Sequence, residues 1–409
     1  MWRMLSAVES LMWGGGQRAI NFALAARLRG DLAVEPLRAA LAKVRQKNPL
    51  VAGRVEVCND ARWYTTEGAP EFSIRTVEGD WATIVAGELT VPFPREGPLA
   101  RFVLVKDGGY STLVMVCHHC VADGLSAAYV LRDALHYLAH PTAPVEPLPE
   151  LPALAELLPP LDPDLLDFAR MAMSKPGEPN VFDAAAGEQL YVLPWSLDET
   201  QTATLMARCR RERTTVHAAL GVAFLTALVR LSAGGPTVRC VSTPVSLRDR
   251  LRQPVGEQYG MLIQGGVKTR LDCAPGREFW VKAREFKESM QRDIADPRFF
   301  ALFHTAEQIL ARIPYEQVIA AEGGLIVDYD LSITNLGRLD FPADDGALRL
   351  EGLYGPAVSG MPDEQVLGVA TAAGRLTCTL VSRPRLLAPD AAARWKALAG
   401  NELARAVGW

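Results

Sequence analysis

The sequence predicts a mixed α/β (α+β) fold built from two parts, and three observations lead to this expectation. The chain has 409 residues, more than a single hydrophobic core usually supports. Residues 141–163 contain eight of the 28 prolines, a density that neither a long helix nor a central strand tolerates. Segments with the hydrophobic periodicity of strands and of helices lie on both sides of that stretch. We therefore expect an N-terminal subdomain over residues 1–160, a linker over 161–189 and a C-terminal subdomain over 190–409.

The N-terminal part begins with an amphipathic helix and continues with strands. Residues 31–48 carry apolar side chains at helical spacing, and the Asn48-Pro49 pair ends this helix. Residues 99–106 and 110–117 are apolar runs joined by a short turn with two glycines, which predicts a hairpin. Together with residues 51–57, these runs are expected to form the N-terminal sheet.

The C-terminal part alternates helices and strands. Two helices are predicted over residues 200–211 and 216–231, and a short helix over 161–173 precedes them. Strands are predicted over 238–245 and 324–334, and a hairpin over 366–381 turns at Ala373-Gly374. Asp390 is expected to cap a final helix.

Composition excludes several classes of protein. The chain is 49% hydrophobic and 22% charged with a formal net charge of −4, and it has no basic run of the kind that binds nucleic acid. Its longest apolar run, residues 220–229, is too short to span a bilayer. The first residues lack the features of a secretory signal peptide, so a cytoplasmic location is expected. The seven cysteines are scattered, which favours buried free thiols over disulfides.

The most informative segment is His118-His119-Cys120-Val121-Ala122-Asp123-Gly124. An apolar run leads into it, and leucines and alanines at helical spacing follow it, so the histidines stand between a buried strand and a helix. Adjacent side chains on an extended strand point to opposite faces, which predicts that His118 and His119 diverge. The same alternation prevents the two histidines and their flanking cysteines from converging on one metal ion, and no metal site is expected. Gly124 is interpreted as a backbone requirement of a tight turn, which needs freedom of φ and close approach, and the alternative that its N–H faces a developing oxyanion stays open.

This segment resembles the HHxxxDG signature of the condensation-domain superfamily of acyltransferases, whose fold is similar to that of chloramphenicol acetyltransferase. Residues 241–250 resemble a second motif of that superfamily, which carries an arginine, and residues 332–338 resemble a third at a strand end. The plant DFGWG element is missing from the sequence, so the resemblance points to bacterial polyketide-associated and alcohol acyltransferases. The resemblance implies two subdomains that form a V, with the active site in a tunnel between them.

The resemblance also implies roles for individual residues. His119 matches the histidine that acts as general base, and His118 is expected to orient it. Asp123 matches an aspartate that pairs with an arginine of the second subdomain, here Arg248. Three polar residues at the third motif are candidates for hydrogen bonds to the substrate or to an oxyanion, or for satisfying the backbone of their own strand end: Ser332, Thr334 and Asn335.

The function expected from these residues is acyl transfer from a thioester to an alcohol or amine. The donor would be acyl-coenzyme A or an acyl group on the phosphopantetheine of an acyl carrier protein, and no permanently bound cofactor is needed. A histidine base suffices because the thioester is already activated, so no covalent acyl-enzyme is expected. Two alternatives stay open: a stand-alone condensation enzyme that forms an amide between carrier-bound partners, and a catalytically silent domain that recruits other enzymes. Retention of His119 argues against the silent domain.

Overall fold

A computed structural model describes most of the chain. The described residues are 2–13, 19–59, 61–149, 151–161, 163–165, 189–232, 235–256, 259, 264–310, 327–341, 348–360 and 363–409. The predicted linker and the predicted helix over residues 161–173 lie almost entirely outside this range.

The first sheet has five strands, and its central strand leads into the histidine motif. The strands are β2 (Asn21–Arg29), β5 (Ile74–Glu78), β6 (Ala100–Asp107), β7 (Tyr110–His118) and β12 (Arg349–Val358). Their order in the sheet is β12-β2-β7-β6-β5. β6 and β7 pair as an antiparallel hairpin, as the sequence predicted. Residues 111–118 of β7 are all buried, because the strand has a neighbour on each side and helices or loops over both faces.

The second sheet has six strands, which are β8 (Tyr191–Leu197), β9 (Val238–Ser246), β10 (Gln264–Asp272), β11 (Leu331–Arg338), β13 (Val366–Ala372) and β14 (Arg375–Ser382). Their order in the sheet is β10-β9-β11-β13-β14-β8. The hairpin of β13 and β14 turns at Ala373 and Gly374, which both have positive φ. β11 pairs in parallel with both β9 and β13.

A small third sheet has the order β1-β4-β3, from β1 (Trp2–Met4), β3 (Arg54–Cys58) and β4 (Ala61–Thr65). The sequence predicts that residues 51–57 join the main N-terminal sheet, and this prediction is wrong. Residues Pro49–Ala52 form a 3₁₀ turn, and β3 pairs with β4. The alternating pattern of β3 indicates a strand but carries no information about its partner.

Helices pack on the two large sheets. The first part contains α1 (Ala7–Trp13), α2 (Val34–Lys47), α3 (Trp81–Glu88), α4 (Gly124–Ala139) and α5 (Leu154–Leu157). The second contains α6 (Glu199–Arg211), α7 (Val216–Leu231), α8 (Phe279–Ala295), α9 (Arg298–Leu310) and α10 (Pro389–Val407). α7 carries an almost continuous buried surface at the centre of the second core, between α8 and α10. The cap of α10 is Ala388 rather than the predicted Asp390, which lies in the first turn.

One strand crosses between the two parts. β12 follows β11 in the chain, yet it pairs antiparallel with β2 at the edge of the first sheet, from Arg349 opposite Arg29 to Val358 opposite Phe22. The predicted division, which assigned everything after residue 190 to the second subdomain, does not include this exchange. The first sheet is therefore completed by a strand from the C-terminal half of the chain.

Within the described residues, no single helix has the length and apolar character needed to cross a membrane. α6 and α7 meet the criteria of length and composition only as a pair, and they are bent by 98°.

Candidate active site at the end of the central strand

The last residue of β7 is His118, and α4 begins six residues later at Gly124. The turn between them is tied to both neighbouring strands. The backbone N–H of His118 donates to the carbonyl of Leu99 (2.9 Å), and that of His119 donates to the carbonyl of Ile20 (2.8 Å). The two histidines therefore occupy fixed backbone positions at the end of a buried strand, as the sequence predicted.

The two imidazole rings lie on opposite faces of the first sheet. The ring of His118 meets the edge of Phe93, with ring centroids 6.1 Å apart. The ring of His119 packs beside Phe22, with centroids 4.9 Å apart. Phe22 lies on β2 next to Asn21, the residue opposite His118, so it faces the other side of the sheet.

His118 is enclosed and engaged within its own turn. The residue is 1% exposed. The backbone N–H of Cys120 donates to its Nδ1 (3.3 Å), and Cys120 Sγ lies 3.1 Å from the same nitrogen. This arrangement suits a residue that shapes the turn, and it leaves no room for a substrate at Nδ1.

His119 is only partly buried, unlike its neighbours on both sides. Its Nδ1 is fully buried, so the exposed part of the residue lies elsewhere. Burial lowers the pKa of His119 below its ordinary value, although Asp123 and the backbone of His119 and Ala122 partly oppose this effect. A lowered pKa keeps the ring neutral at neutral pH, which is the form that accepts a proton.

The Asp123 carboxylate is buried and accepts four hydrogen bonds from Ser126 and Arg248. As the N-cap of α4, its Oδ1 accepts from the backbone N–H and the hydroxyl of Ser126, both at 2.8 Å. Arg248 donates through Nη1 to Oδ2 (2.8 Å) and through Nη2 to Oδ1 (3.2 Å). Burial raises the pKa of Asp123, but the Arg248 guanidinium and the Ser126 bonds outweigh it, and the net pKa is lowered. Asp123 is therefore an ionised, fully engaged carboxylate.

Ser126 is a site residue that the sequence reasoning missed. Its hydroxyl donates to Asp123 and accepts from Nη2 of Arg248 (2.9 Å), which closes a triangle of hydrogen bonds. The sequence signals the cap, because aspartate before an apolar helical run is a preferred N-cap, but it does not single out Ser126. The contact with Arg248 is long-range, and no local pattern carries it.

Gly124 is required because another part of the chain approaches it closely. A β-carbon at this position would lie 2.7 Å from Cγ of Pro356 and 2.8 Å from Cδ2 of Leu336. Its φ does not lie in the left-handed region, so of the two predicted reasons for glycine the close approach holds and the freedom of φ does not. Pro356 lies on β12 and Leu336 on β11, so both strands from the C-terminal half press on the start of α4.

The three polar residues of β11 differ in position. Ser332 and Thr334 alternate with Ile333, which belongs to the second core, so they face away from that core. Ser332 is buried, whereas Thr334 is partly exposed. Asn335 uses its Oδ1 to accept from the backbone N–H of Gly337 (2.8 Å) and so satisfies its own strand end. Through Leu336, the end of β11 reaches the start of α4.

Cys117 and Cys120, which flank the two histidines, are unreactive because both thiols are buried. Burial raises the pKa of both Cys117 and Cys120, which keeps their thiols protonated. No group of three or more His, Cys, Asp or Glu side chains in the described part of the chain is arranged to hold a metal ion.

Comparison with known proteins gives a partial family match and many structural matches. Residues 188–381 match the family described as phthiocerol/phthiodiolone dimycocerosyl transferase C-terminus. No curated protein sequence matches the chain.

The structural matches extend over nearly the whole chain at low sequence identity. Polyketide synthase associated protein 5 from Mycobacterium tuberculosis is 18% identical with a TM-score of 0.67, over 99% of this chain and 98% of that one. Trichothecene 15-O-acetyltransferase from Fusarium sporotrichioides is 13% identical with a TM-score of 0.73, over 99% and 95%. The first condensation domain of the calcium-dependent antibiotic synthetase is 15% identical with a TM-score of 0.66, over 100% and 97%. The chain thus has the chloramphenicol-acetyltransferase-like fold of the condensation-domain superfamily.

Proposed function

We propose that the protein is an acyltransferase that moves an acyl group from a thioester to an alcohol or amine, with His119 as general base. The donor is acyl-coenzyme A or an acyl group on the phosphopantetheine of an acyl carrier protein. The fold supports this proposal, since two of the similar structures are named as an acetyltransferase and a condensation domain. The match of residues 188–381 to a transferase family supports it as well.

The observation that carries the proposal is the difference between His119 and the other ionisable side chains of the motif. Nδ1 of His118 accepts a hydrogen bond from Cys120, and the carboxylate of Asp123 is bonded to Arg248 and Ser126. His119 keeps part of its surface exposed, and burial lowers its pKa. A neutral imidazole with an accessible edge on a rigid turn is what a general base requires.

The proposed reaction needs no covalent intermediate on the protein. His119 accepts the proton of the acceptor O–H or N–H while the acceptor oxygen or nitrogen attacks the thioester carbonyl carbon. The tetrahedral intermediate then collapses, its carbon–sulfur bond breaks, and the leaving thiolate takes the proton back from the imidazolium. We assign the proton transfer to Nε2, because Nδ1 is fully buried.

The developing oxyanion requires a hydrogen-bond donor. Of the three candidates on β11, we favour the hydroxyl of Thr334 and the Nδ2 amide of Asn335, since both residues are partly exposed and only the Oδ1 of Asn335 is engaged with Gly337, whereas Ser332 is buried. The first turn of α4, which begins at Gly124, adds the positive end of a helix dipole beside His119.

The test is thiol release from a panel of acyl-coenzyme A donors, short to long, mixed with simple alcohols and amines. Release with formation of the ester or amide is expected for the wild-type protein. His119→Ala should lose about 10²–10⁴-fold in kcat, the usual contribution of a general base. His140→Ala is the matched control, because that histidine is exposed at the end of α4, and it should retain full activity.

Two results would overturn the proposal. A trapped acyl-enzyme would show covalent catalysis, and full activity of His119→Ala would remove the base. If no coenzyme A thioester reacts, the same assay is repeated with acyl groups loaded on a carrier protein. Absence of transfer from either donor would exclude acyl transfer and favour the recruitment alternative.

A further inference from the structure

The imidazole of His119 requires support beyond its own backbone. The backbone N–H of His119 donates to the carbonyl of Ile20 (2.8 Å), which fixes where the side chain begins. This bond does not fix the rotation of the ring about its last single bond, for which a histidine has a broad range of angles. A general base must hold its nitrogen within hydrogen-bonding reach of the proton that it accepts. The orientation of the ring therefore depends on the side chains that it contacts.

Phe22 is the aromatic neighbour of this imidazole. The two ring centroids are 4.9 Å apart, and the ring planes are tilted by 46°. Phe22 lies on β2 directly opposite Cys117 of β7, and Cys117 precedes His119 by two residues, so the three side chains share one face of the first sheet. In the sequence of β2, Phe22 is the only aromatic residue, and it stands at the end of the strand that reaches His119.

The ring of Phe22 is itself held by packing. It is 1% exposed and is among the largest fully buried side chains of the described residues. β2 has a paired strand on each side, so Phe22 has Cys117 opposite it on β7 and Val358 opposite it on β12. A close-packed interior leaves such a ring few positions. Side chains locked in this way are what keeps a reactive group in a defined geometry.

Phe22 is also the apolar part of surroundings that include charged and titratable groups. Asp123 faces His119 from the start of α4, and its charge is paired with Arg248. Cys117 on the same face of the sheet is a protonated thiol, because burial raises its pKa. Burial is the largest cause of the lowered pKa of His119, and Asp123 opposes it. Loss of the Phe22 ring should admit water and move the pKa of His119 back toward its ordinary value.

We infer that Phe22 is a positioning residue: its buried ring packs against the imidazole of His119 and holds Nε2 in the direction of the acceptor. Phe22 acts through His119 and not on the substrate. The catalytic part of this inference rests on the proposed function. The ring contact and the titration of His119 are measurable without substrate.

The first test is proton NMR of the wild-type protein, deuterated except for its histidine and phenylalanine side chains. The imidazole signals of His119 are identified by their loss in His119→Gln. We expect a nuclear Overhauser effect between the His119 imidazole and a phenylalanine ring, because the two centroids are 4.9 Å apart. Absence of this effect would overturn the inference, and this result does not require a Phe22 variant that folds.

The second test is Phe22→Leu, which keeps a buried apolar side chain and removes the aromatic ring. The NMR titration of His119 should move to higher pH than in the wild type. At about pH 8, kcat should fall about tenfold or more with little change in KM, as expected when a reactive group is misplaced. The imidazole is neutral in both proteins at that pH, so the loss reports orientation and not protonation.

Phe102→Leu is the matched control. Phe102 is also 1% exposed and lies opposite Met115 on the other side of β7, so it faces the same side of the same sheet. Its ring meets Phe72, with centroids 5.2 Å apart, and Met115 precedes His119 by four residues. The variant should keep the wild-type titration of His119 and the wild-type kcat. If it reproduces the effects of Phe22→Leu, general loosening of the sheet is their cause and the inference is wrong.

The remaining results separate the inference from the proposed function. A folded Phe22→Leu variant with the wild-type titration and the wild-type kcat would overturn the inference. A shifted titration with unchanged kcat would overturn its catalytic part. A wild-type protein without transferase activity would instead contradict the proposed function and leave the NMR result for Phe22 standing.

Discussion

Nη1 of Arg248 lies 2.8 Å from Oδ2 of Asp123, and both side chains are only 4% exposed. The pair joins the N-cap of α4 to the short 3₁₀ segment that follows β9. It thus connects the turn that carries His119 to the second sheet through a two-pronged contact between planar groups, which fixes orientation as well as distance. The aspartate of the motif therefore acts on the architecture of the site and not on a substrate proton.

Asp123→Ala is expected to destabilise the protein by about 3–5 kcal/mol, because it leaves the Arg248 guanidinium buried without a counterion. The double variant Asp123→Ala, Arg248→Met should recover part of this loss, since the apolar replacement removes the stranded charge. Urea unfolding of the two single variants and the double variant measures the coupling. Additive effects of the two substitutions would show that the pair contributes no mutual stabilisation.

The pH dependence of activity should report His119. Because burial lowers its pKa, kcat/KM is expected to rise with pH along an acidic limb whose midpoint lies below the ordinary histidine value of about 6.5. Asp123 does not contribute to this limb, since its own pKa is lowered still further into the acid range. The measurement is a pH profile of thiol release under subsaturating substrate. A midpoint above 6.5 would mean that the base is another group or that the substrate titrates.

Several elements could be predicted from the sequence because their signals are local. The bounds of α7 agree to the residue, and the hairpin of β13 and β14 agrees to within one residue. A long, almost wholly apolar helix and a hairpin with a glycine turn are both recognisable within about twenty residues. The position of the histidine motif could also be predicted, because a strand, a turn and a helix cap follow one another in the sequence.

The features that were missed depend on contacts far apart in the sequence. β12 carries Gly352, Gly355 and Pro356, which obscure its strand pattern, and its register with β2 shifts twice. Its pairing with residues more than 300 positions away has no local signature. The acceptor role of Ser126 toward Arg248, and the position of Asn21 opposite His118, are set by the same long-range packing.

Acid should destabilise the second core through His217. This side chain is 9% exposed, lies beside Phe286 and places its Nε2 3.0 Å from Thr243 Oγ1. Burial lowers the pKa of His217 to about 4, so between pH 6.5 and 4 the unfolded state binds more protons than the folded state. The stability contributed by the neutral ring is complete above pH 6.5 and is lost as the pH falls, by up to about 3 kcal/mol at about 1.4 kcal/mol per unit.

His217→Gln removes this titration while keeping a group that can bond to Thr243. The difference in unfolding free energy between the variant and the wild type should therefore change in favour of the variant as the pH is lowered from 7 to 4.5. Parallel pH profiles for the two proteins would show that His217 does not titrate in this window.

Gly124→Ala tests how tightly the C-terminal strands close on the motif. The added methyl would lie within 2.8 Å of Pro356 Cγ and Leu336 Cδ2, closer than carbon atoms pack, so one of the two strands or the start of α4 must move. We expect a loss of about 1–3 kcal/mol, the usual cost of overpacking. Activity should fall as well, because the displacement acts one residue from Asp123 and five from His119.

Gly400→Ala provides the control, because Gly400 is exposed within α10 and a methyl group there meets no atom within 4 Å. Replacing it should stabilise the protein by about 0.5–1 kcal/mol, as alanine does in an exposed helix. Leu336→Ala combined with Gly124→Ala removes one of the two clashing groups and should restore part of the activity, even though it sacrifices some packing. If Gly124→Ala alone is as active and as stable as the wild type, β11 and β12 are less tightly apposed to the motif than the distances indicate, and the site tolerates movement between its two halves.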